Sequence, residues 1–394
     1  MMGLKLKFRL ILLLGCMPYL FCVFVSYKSE DFSFVRRNPR LHSTTHLAKG
    51  INNTSEHHER KNLLKEAAAA WTGALECPLP EYNDNFVKLP EFFSEKLMWE
   101  VASNIFLVES SCNPQPSYRA WCAVESLSRQ NPDAHIWYVI TSPMISDGDG
   151  LVSRLRRRYR NLQLVTIDQQ QLFSNTPLMD VYTAGLWLTN STWPAVNLSD
   201  LLRLALVWHT GGFYADSDFI CLANVTTFKN VIGVESVFYN PLVHIALPNS
   251  NGYDSLAANG AFHLTRHHPL LHKLMTFLSK NFEPDVWGRN GPQAMTKVLK
   301  TRCGYHLRVG EECVGVTLLP TSVFYPVAFS DWKRLFQPAP YLHVSKMFPQ
   351  SALLHAWNKV SHQKPITPGS FYDAIAATYC PVTHRLATKL SQFY

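Results

Sequence analysis

The sequence predicts an α/β domain that follows an N-terminal anchor and a polar stem. Of its 394 residues, 47% are hydrophobic and 17% are charged, a balance that supports a large core of one or two domains and is too apolar for disorder. Beyond residue 77, short apolar segments alternate with amphipathic ones, which is typical of a sheet covered by helices. No glycine-rich phosphate loop of the G-x-x-x-x-G-K-S/T or G-x-G-x-x-G type is present.

The predicted domain contains strands and helices in the following order along the chain. The first are strands at 104–109, 135–141 and 162–167, with a helix at 117–130. A helix at 200–210 has Ser199 or Asp200 as its N-cap and ends at Gly211-Gly212. The last are strands at 213–215 and 260–264, a helix near 268–281 and a helix that begins at Gly291-Pro292.

The N-terminal residues predict a membrane anchor. Three basic residues precede an uncharged stretch at 10–27, and a helix of that length crosses about 27 Å, enough for a thin bilayer of the early secretory pathway. The alternative is a cleaved signal peptide, which usually has a shorter apolar core and a small-x-small cleavage site. We therefore expect a cytoplasmic tail at 1–9, a signal anchor at 10–27, a lumenal stem at 28–76 and a folded domain at 77–394.

Glycosylation sequons and cysteines favour a lumenal location for that domain. The sequons predict N-glycosylation at Asn53, Asn190, Asn197 and Asn224. Seven of the nine cysteines lie beyond the anchor, which suits an oxidising compartment, and an odd number leaves at least one unpaired. The pairs Cys112–Cys122 and Cys303–Cys313 are each ten residues apart, so local disulfides are expected there.

The charge distribution argues against nucleic acid as a partner. The formal net charge is +8, but lysines and arginines are scattered and form no stripe interleaved with aromatic residues. A mild basic excess equally suits anionic small molecules and membrane surfaces.

Asp216-Ser217-Asp218, directly after the strand at 213–215, is the motif that carries chemistry. Without a glycine-rich loop, a nucleotide diphosphate would need another source of charge neutralisation. Two carboxylates that hold Mn²⁺ or Mg²⁺ provide it, and in a regular strand alternation would put both on one side. An isolated D-x-D often occurs by chance in turns. An EF-hand is excluded because the third acidic position and the glycine are missing. An aspartyl phosphotransferase is disfavoured because this sequence has no Thr or Gly turn close after the motif.

The sequence around this motif resembles a known family. Residues 199–203 (SDLLR) followed by 211–218 (GGFYADSD) are similar to the DXD-containing sugar-binding region of family 32 glycosyltransferases. Over residues 100–385 the chain resembles their α1,4-galactosyltransferase and α1,4-N-acetylglucosaminyltransferase branch, through 259–262 (NGAF), 287–293 (WGRNGPQ), 324–326 (FYP) and 355–359 (HAWNK). The resemblance implies a GT-A type nucleotide-diphospho-sugar transferase fold at 77–394, a UDP-sugar donor, and transfer with retention of the α configuration.

The resemblance also assigns roles to residues. Asp216 and Asp218 would hold the metal, and His355 would complete its shell. Gln293 is the remaining catalytic candidate, and the donor-binding candidates are Asp200, Arg203, Tyr214, Glu109, Ser110, Asn259 and Trp287. Asp200 and Arg203 would act from one helical face because they are three residues apart. Structural alternatives stay open: an N-cap for Asp200, an ion pair for Arg203, a turn for Asn259, and core packing for Tyr214, Trp287 and His355.

We expect a retaining enzyme of the Golgi membrane that transfers galactose in α1,4 linkage from UDP-galactose to a glycolipid such as lactosylceramide. Transfer of N-acetylgalactosamine or N-acetylglucosamine to glycolipids or glycoproteins is the alternative, because residues 236–258 match the family poorly. The other readings are a glycan-binding protein on a decayed scaffold and a metal-dependent phosphohydrolase. Association as a homodimer, or with other Golgi transferases, stays open.

Overall fold

The structure is a computed structural model, and it describes Cys77 and residues 85–95, 103–189, 191–239, 253–304, 307–338 and 347–390. The predicted tail, anchor and stem lie entirely outside the described residues, as do the sequons at Asn53 and Asn190. Among the residues described, none of the helices has the length and apolar character needed to cross a membrane.

An eight-stranded mixed sheet forms the centre of the fold, with the order β10-β11-β8-β9-β6-β2-β3-β5. Its strands are β2 (Ser103–Glu109), β3 (Ala134–Ile140), β5 (Leu162–Thr166), β6 (Gly212–Ala215), β8 (Val231–Tyr239), β9 (Tyr253–Leu264), β10 (Glu312–Cys313) and β11 (Val316–Leu319). Two small two-stranded sheets pair β1 (Phe86–Lys88) with β4 (Met144–Ser146), and β7 (Phe219–Cys221) with β12 (Leu353–His355). The predicted α/β class is confirmed.

Helices cover both faces of this sheet. The longer ones are Tyr118–Gln130, Leu151–Arg158, Pro194–Thr210, Pro269–Asn281, Ala294–Cys303, Phe371–Tyr379 and Pro381–Lys389. Shorter helical segments are Phe92–Glu95, Gln169–Phe173, Met179–Thr183, Leu186–Thr189, Arg289–Gln293, Thr321–Phe324, Phe329–Phe336 and Asn358–Ser361. Successive residues of β2 enter opposite cores, with Phe106 on one side and Ile105 and Leu107 on the other. A strand that is buried on both faces has a continuous run of apolar residues, and such a run predicted β2 from the sequence.

The helix that precedes the D-x-D motif is longer than predicted. It begins at Pro194, which occupies the first helical turn, and its N-cap is Trp193. The prediction of Ser199 or Asp200 as the N-cap was therefore wrong, because both lie inside the helix. Its predicted end is confirmed: Gly211 is the C-cap with φ of 67°, a conformation that glycine adopts without a Cβ clash.

Three disulfides join cysteines of the described residues, and one predicted pair was wrong. Cys303–Cys313 forms as expected, but Cys112 bonds to Cys77. Cys122 bonds to Cys380 instead, because it lies in the Tyr118–Gln130 helix, against which the C-terminal Pro381–Lys389 helix packs. Cys221 is the unpaired cysteine among those described, and it is buried.

Candidate active site

One turn and one strand bring together three side chains from distant parts of the sequence that could ligate a metal. β6 ends at Ala215, and Asp216 to Asp218 form the turn into β7. β12 pairs with β7 so that His355 lies opposite Phe219. Ligand atoms of Asp216, Asp218 and His355 all lie within 4.8 Å of one another. The prediction that strand alternation aligns the two aspartates was wrong, because they lie in a turn, yet the turn still gathers both carboxylates.

Hydrogen bonds orient the second aspartate towards the cluster. His355 Nε2 lies 3.1 Å from Asp218 Oδ1, and the backbone N–H of Asn358 donates to Asp218 Oδ2 at 2.8 Å. Burial alone would raise the pKa of Asp218, but His355 and this N–H outweigh burial and hold the pKa below its ordinary value. Burial alone would likewise lower the pKa of His355, but Asp218 raises it above 6.5. The lowered pKa of Asp218 and the raised pKa of His355 therefore both favour the charged forms of this pair.

The first aspartate is held by a different set of partners. Tyr214 donates its hydroxyl to Asp216 Oδ1 at 2.8 Å, and Arg203 Nη1 lies 2.9 Å from the same oxygen. Burial raises the pKa of Asp216, and Arg203 opposes that rise. Since both partners use Oδ1, Asp216 retains Oδ2 for a ligand.

The donor set fits a divalent cation. Two carboxylates and one imidazole are ligands that Mn²⁺ and Mg²⁺ accept, with oxygen preferred. Asp216 keeps one oxygen free of the Tyr214 and Arg203 contacts, and the Nδ1 atom of His355 is buried without a hydrogen-bond partner in the described structure. A bound cation would compensate the two neighbouring negative charges that burial disfavours. The geometry thus allows Asp216, Asp218 and His355 to hold a metal together.

A buried polar network links this cluster to the Pro194–Thr210 helix. Arg203 Nη2 lies 3.2 Å from Asp200 Oδ1, an i,i+3 pair as the spacing predicted. Asn259 donates its side-chain amide to Asp200 at 2.6 Å, and its backbone carbonyl accepts from Arg203 at 2.9 Å. Asp200 and Arg203 are both buried. Arg203 therefore connects Asp200, Asn259 and Asp216 as one unit.

Gly260 gives Asp216 the space it occupies. A Cβ at this position would lie 2.7 Å from Asp216 Oδ2, closer than real contacts allow, and 3.1 Å from the Tyr325 hydroxyl, which is a tight contact. The backbone N–H of Asp216 also donates to the Gly260 carbonyl at 2.8 Å. The irregular stretch of β9 around Asn259 and Gly260, where the register against β8 shifts, thus shapes one wall of the site.

Asp200 is held in the charged form at a cost in stability. Burial raises its pKa to about 6, against the opposing effect of Arg203. A carboxyl whose pKa is higher in the folded state loses stability as the pH rises through the interval between its unfolded and folded pKa. We therefore expect Asp200→Asn to increase the free energy of unfolding by about 3 kcal/mol at pH 7.5, with the gain vanishing below pH ~4.

The same variant should lose activity, because an amide cannot pair with Arg203 as a carboxylate does. Urea unfolding at pH 4 and pH 7.5, with activity measured at pH 7.5, checks both effects. Asp133→Asn, in an exposed loop, serves as the control and should change neither. If Asp200→Asn were less stable than the unmodified protein at pH 7.5, the ionised carboxylate would be a net stabilising group.

Other predicted residues lie near this network without joining the metal cluster. Glu109 is the last residue of β2 and Ser110 follows it, and because β2 is parallel to β6, both lie at the edge of the sheet where β6 ends. Ser110 donates to the Ala195 carbonyl at 2.7 Å. Glu109 accepts from the Ser111 N–H and hydroxyl, and burial raises its pKa.

The segment with Trp287 and Gln293 lies against Asn259. Gly291 has no room for a side chain beside the Asn259 amide. Gln293 is exposed and accepts from Arg289 at 3.4 Å, so the described contacts do not join it to the metal cluster. Trp287 packs edge-on against Trp193, with ring centroids 5.3 Å apart.

Tyr214 is 1% exposed and donates to Asp216, so its described contact is with the first aspartate, and its predicted contact with the donor stays a prediction. One sequence-based prediction needs correction. Asn197 was predicted to carry a glycan, yet its side-chain amide is buried, donating to Ser191 and to the Pro284 carbonyl and accepting from Asn290. A glycan on that nitrogen would prevent this packing. Asn224 is exposed, as a glycan requires.

The structure adds residues that the sequence did not single out. Glu235 of β8 lies close enough to Asp216 and His355 to interact electrostatically, and burial raises its pKa to about 7. The Tyr325 hydroxyl is buried without a hydrogen-bond partner among the described residues and faces the same charges. The F-Y-P motif was a signal for Tyr325. Lys359 Nζ lies 4.0 Å from the Trp287 ring centroid and 4.8 Å from that of Trp193.

Comparison with known families and relatives gives a consistent assignment. The model "Glycosyltransferase sugar-binding region containing DXD motif" matches residues 117–239, and "Alpha 1,4-glycosyltransferase conserved region" matches residues 263–387. Lactosylceramide 4-alpha-galactosyltransferase of Gorilla gorilla gorilla is 32% identical over 292 residues, which are 71% of this chain and 82% of the relative. Alpha-1,4-N-acetylglucosaminyltransferase of Homo sapiens is 24% identical over 75% of this chain and 85% of the relative.

Solved structures also align with the chain. The galactosyltransferase LgtC in complex with donor and acceptor sugar analogs aligns over 72% of this chain and 95% of that one, with 13% identity and a TM-score of 0.38. The PaToxG glycosyltransferase aligns over 67% and 80%, with 16% identity and a TM-score of 0.36.

The two family matches cover most of the described sheet and its helices, together with Asp200, Arg203, Asp216, Asp218 and His355. The identity of 32% over 292 residues, which are 82% of the relative, shows common ancestry over most of the folded domain. The chain therefore belongs to the α1,4-glycosyltransferase family, and it is a hexosyltransferase with an α/β fold.

Proposed function

We propose that this enzyme transfers galactose in α1,4 linkage from UDP-galactose to a glycolipid acceptor such as lactosylceramide, with retention of the α configuration. The observation that carries the proposal is the cluster of Asp216, Asp218 and His355, connected through Arg203 to Asp200. The relatives at about 31–32% identity that bear the name lactosylceramide 4-alpha-galactosyltransferase support this donor and acceptor.

The residues of the site would have two roles, which are to bind the metal and to position the donor. Asp216, Asp218 and His355 would hold Mn²⁺, which, when bound, neutralises charge on the leaving diphosphate. Arg203 and Asp200 would position the donor sugar and phosphate, with Asn259 fixing the orientation of Asp200. The acceptor hydroxyl would attack on the face from which the diphosphate leaves, and a diphosphate oxygen would take its proton. Fixed positions of the reacting groups and preorganised charges lower the activation free energy of such a transfer.

We also propose that the chain is a single-pass type II protein of the Golgi membrane, with the folded domain in the lumen. The uncharged stretch at 10–27, the three disulfides and the exposed sequon at Asn224 support this. Protease protection of intact microsomes tests the orientation, since a lumenal domain is digested only after detergent is added.

A donor-by-acceptor panel tests the enzymatic proposal. The full chain in detergent is supplied with Mn²⁺ and with UDP-galactose, UDP-N-acetylgalactosamine or UDP-N-acetylglucosamine, against lactosylceramide, free lactose and glycoprotein glycans. We expect UDP release with galactose and lactosylceramide to exceed every other sugar at least about tenfold, a discrimination that a few pocket contacts supply. The linkage of the product is identified by NMR and α-galactosidase digestion.

Other outcomes separate the alternatives. Preferred use of UDP-N-acetylgalactosamine or UDP-N-acetylglucosamine would overturn the galactose assignment. Glycan binding without UDP release would indicate a decayed scaffold, and release of inorganic phosphate without sugar transfer would indicate a phosphohydrolase.

A further inference from the structure

A bulge in strand β8 directs an additional carboxyl group to the metal cluster. The neighbours of Glu235 on β8 face two adjacent residues of β9, Ala257 and Leu256, so Glu235 itself has no opposite residue. An unpaired residue of this kind is a β-bulge, which changes the direction of a side chain and is common next to active sites. Glu235 interacts electrostatically with His355 and Asp216. The bulge therefore places this carboxyl group at the cluster, where the sequence pattern did not predict it.

Tyr325 lies against the same part of the sheet. Its ring contacts β8 at Gly233, where a Cβ would lie 2.9 Å from Tyr325 Cε2, and it packs edge-on against His355 with ring centroids 5.4 Å apart. The residue is 2% exposed, and its hydroxyl has no hydrogen-bond partner among the described residues. Because a buried hydroxyl without a partner costs free energy, its position beside the cluster indicates a group that binds a ligand.

Gly260 of β9 lets the Tyr325 hydroxyl and Asp216 face the same space. The Cβ that glycine lacks would lie 3.1 Å from the hydroxyl and 2.7 Å from Asp216 Oδ2. Tyr214 and Arg203 both contact the other oxygen, Oδ1, so Oδ2 is the oxygen that is available to a cation. The Tyr325 hydroxyl therefore faces the side of Asp216 on which a cation would bind.

Glu235 approaches the cluster from outside the set of candidate ligands. Among the described residues, the group whose ligand atoms all lie within 4.8 Å of one another is Asp216, Asp218 and His355, and it does not include Glu235. The Glu235 side chain is only partly buried, so solvent reaches it. Mg²⁺ in particular keeps several waters when the protein supplies few ligands. A carboxylate in this position therefore reaches a bound cation through a water molecule.

We propose that the Glu235 carboxylate and the Tyr325 hydroxyl are positioning groups that together hold one hydration water of the cation bound at the Asp216–Asp218–His355 cluster. The inference rests on the metal role in the proposed function. The water donates one hydrogen to the Glu235 carboxylate, which only accepts when ionised, and the other to the oxygen of Tyr325. Groups that hydrogen-bond the ligands of a metal strengthen its binding, and their loss typically weakens binding about 10- to 100-fold.

The first test measures Mn²⁺ affinity without donor or acceptor. The full chain in detergent is titrated with Mn²⁺, and the free cation is quantified by its EPR signal. Glu235→Gln and Tyr325→Phe should each raise the dissociation constant at least about tenfold. The double variant should lose little more than Glu235→Gln alone, because both groups act on one water and their effects are not additive.

Tyr138→Phe is the matched control for the loss of a hydroxyl. The Tyr138 hydroxyl is also buried without a hydrogen-bond partner among the described residues, but the charged group that it faces is Glu109. This variant should bind Mn²⁺ as the unmodified protein does. Thermal unfolding without Mn²⁺ shows that each variant is folded before its affinity is compared.

The second test observes the water itself, which a merely structural change would not affect. Relaxation of water protons by bound Mn²⁺ reports how fast the hydration water exchanges with the solvent. At saturating Mn²⁺, we expect severalfold faster exchange in Glu235→Gln and in Tyr325→Phe than in the unmodified protein, because each variant removes one acceptor of the water. Exchange in Tyr138→Phe should be unchanged.

The outcomes separate this inference from the proposed function. Unchanged Mn²⁺ affinity and water exchange in both variants would overturn the shared water and leave galactose transfer untouched. A loss in Glu235→Gln alone, or additive losses in the double variant, would also overturn it, since separate effects of charge and packing give those results. If the unmodified protein bound no Mn²⁺, the metal role and the inference would fail together. The expected losses in an enzyme that transfers no galactose would support the inference and refute only the proposed donor and acceptor.

Discussion

Replacement of Asp218 by Asn should abolish nearly all transfer activity while the protein stays folded. Asp218 accepts from the Asn358 N–H with one carboxylate oxygen and from His355 with the other. Asn has a single side-chain oxygen, so it can replace only one of these acceptors, and it offers the metal no negative charge. Loss of one carboxylate from the cluster should cost roughly 3–4 kcal/mol of transition-state stabilisation, or roughly 100- to 1000-fold in rate. UDP release with saturating donor and acceptor measures the loss.

A thermal unfolding series with Mn²⁺ gives a second readout. Binding to the folded state raises Tm, so the unmodified protein should show a metal-dependent rise that Asp218→Asn lacks. Since a metal needs neutral His355, whose pKa Asp218 raises against the effect of burial, the rise should shrink as the pH falls.

A matched control separates the cluster from an ordinary Asp–His pair. Asp373 accepts from His384 at 2.8 Å and from the Gly369 N–H at 2.8 Å, the same two kinds of partner that Asp218 has. Asp373→Asn should keep full activity and the full metal-dependent rise. Retention of more than a tenth of the activity by Asp218→Asn, or an unchanged rise in Tm, would contradict the metal assignment.

Removal of the Cys122–Cys380 disulfide should destabilise the enzyme far more than removal of Cys303–Cys313. The first closes a sequence separation of 258 residues and the second one of 10. The chain-entropy relation gives about 5 kcal/mol for the long loop and about 3 kcal/mol for the short one. Urea unfolding of the two Cys→Ala double variants in detergent measures both losses, with the slope m compared to confirm that the unfolded states are similar.

The long disulfide also fastens the C-terminal segment to the fold. Glu125 of the helix that carries Cys122 accepts from the N–H groups of Val382 and Thr383 at the start of the Pro381–Lys389 helix. Buried Arg119 of the same helix donates to the Ser361 carbonyl, near the strand that ends in His355. Equal losses for the two double variants would show that loop entropy does not determine the difference.

Local sequence determined much of this protein. The apolar segments at 104–109, 135–141 and 162–167 became β3 and its neighbours within one residue at each end, because a strand buried on both faces needs a continuous apolar run. The spacing of Asp200 and Arg203 fixed their ion pair, since residues three apart share one helical face. The D-x-D motif and its flanking glycines indicated the family and two of the three clustered residues that could hold a metal.

Tertiary structure determined the contacts between residues that are far apart in the sequence, which local sequence rules do not predict. His355 meets Asp218 through the pairing of β12 with β7, between segments more than 130 residues apart, and no local spacing encodes that register. The cysteine partners, the burial of Asn197 and Tyr214, and the approach of Glu235 likewise depend on which helices pack together. Sequence by itself thus determined the elements and the chemistry of the motif, whereas long-range packing, which only the folded chain establishes, decided the geometry of the site.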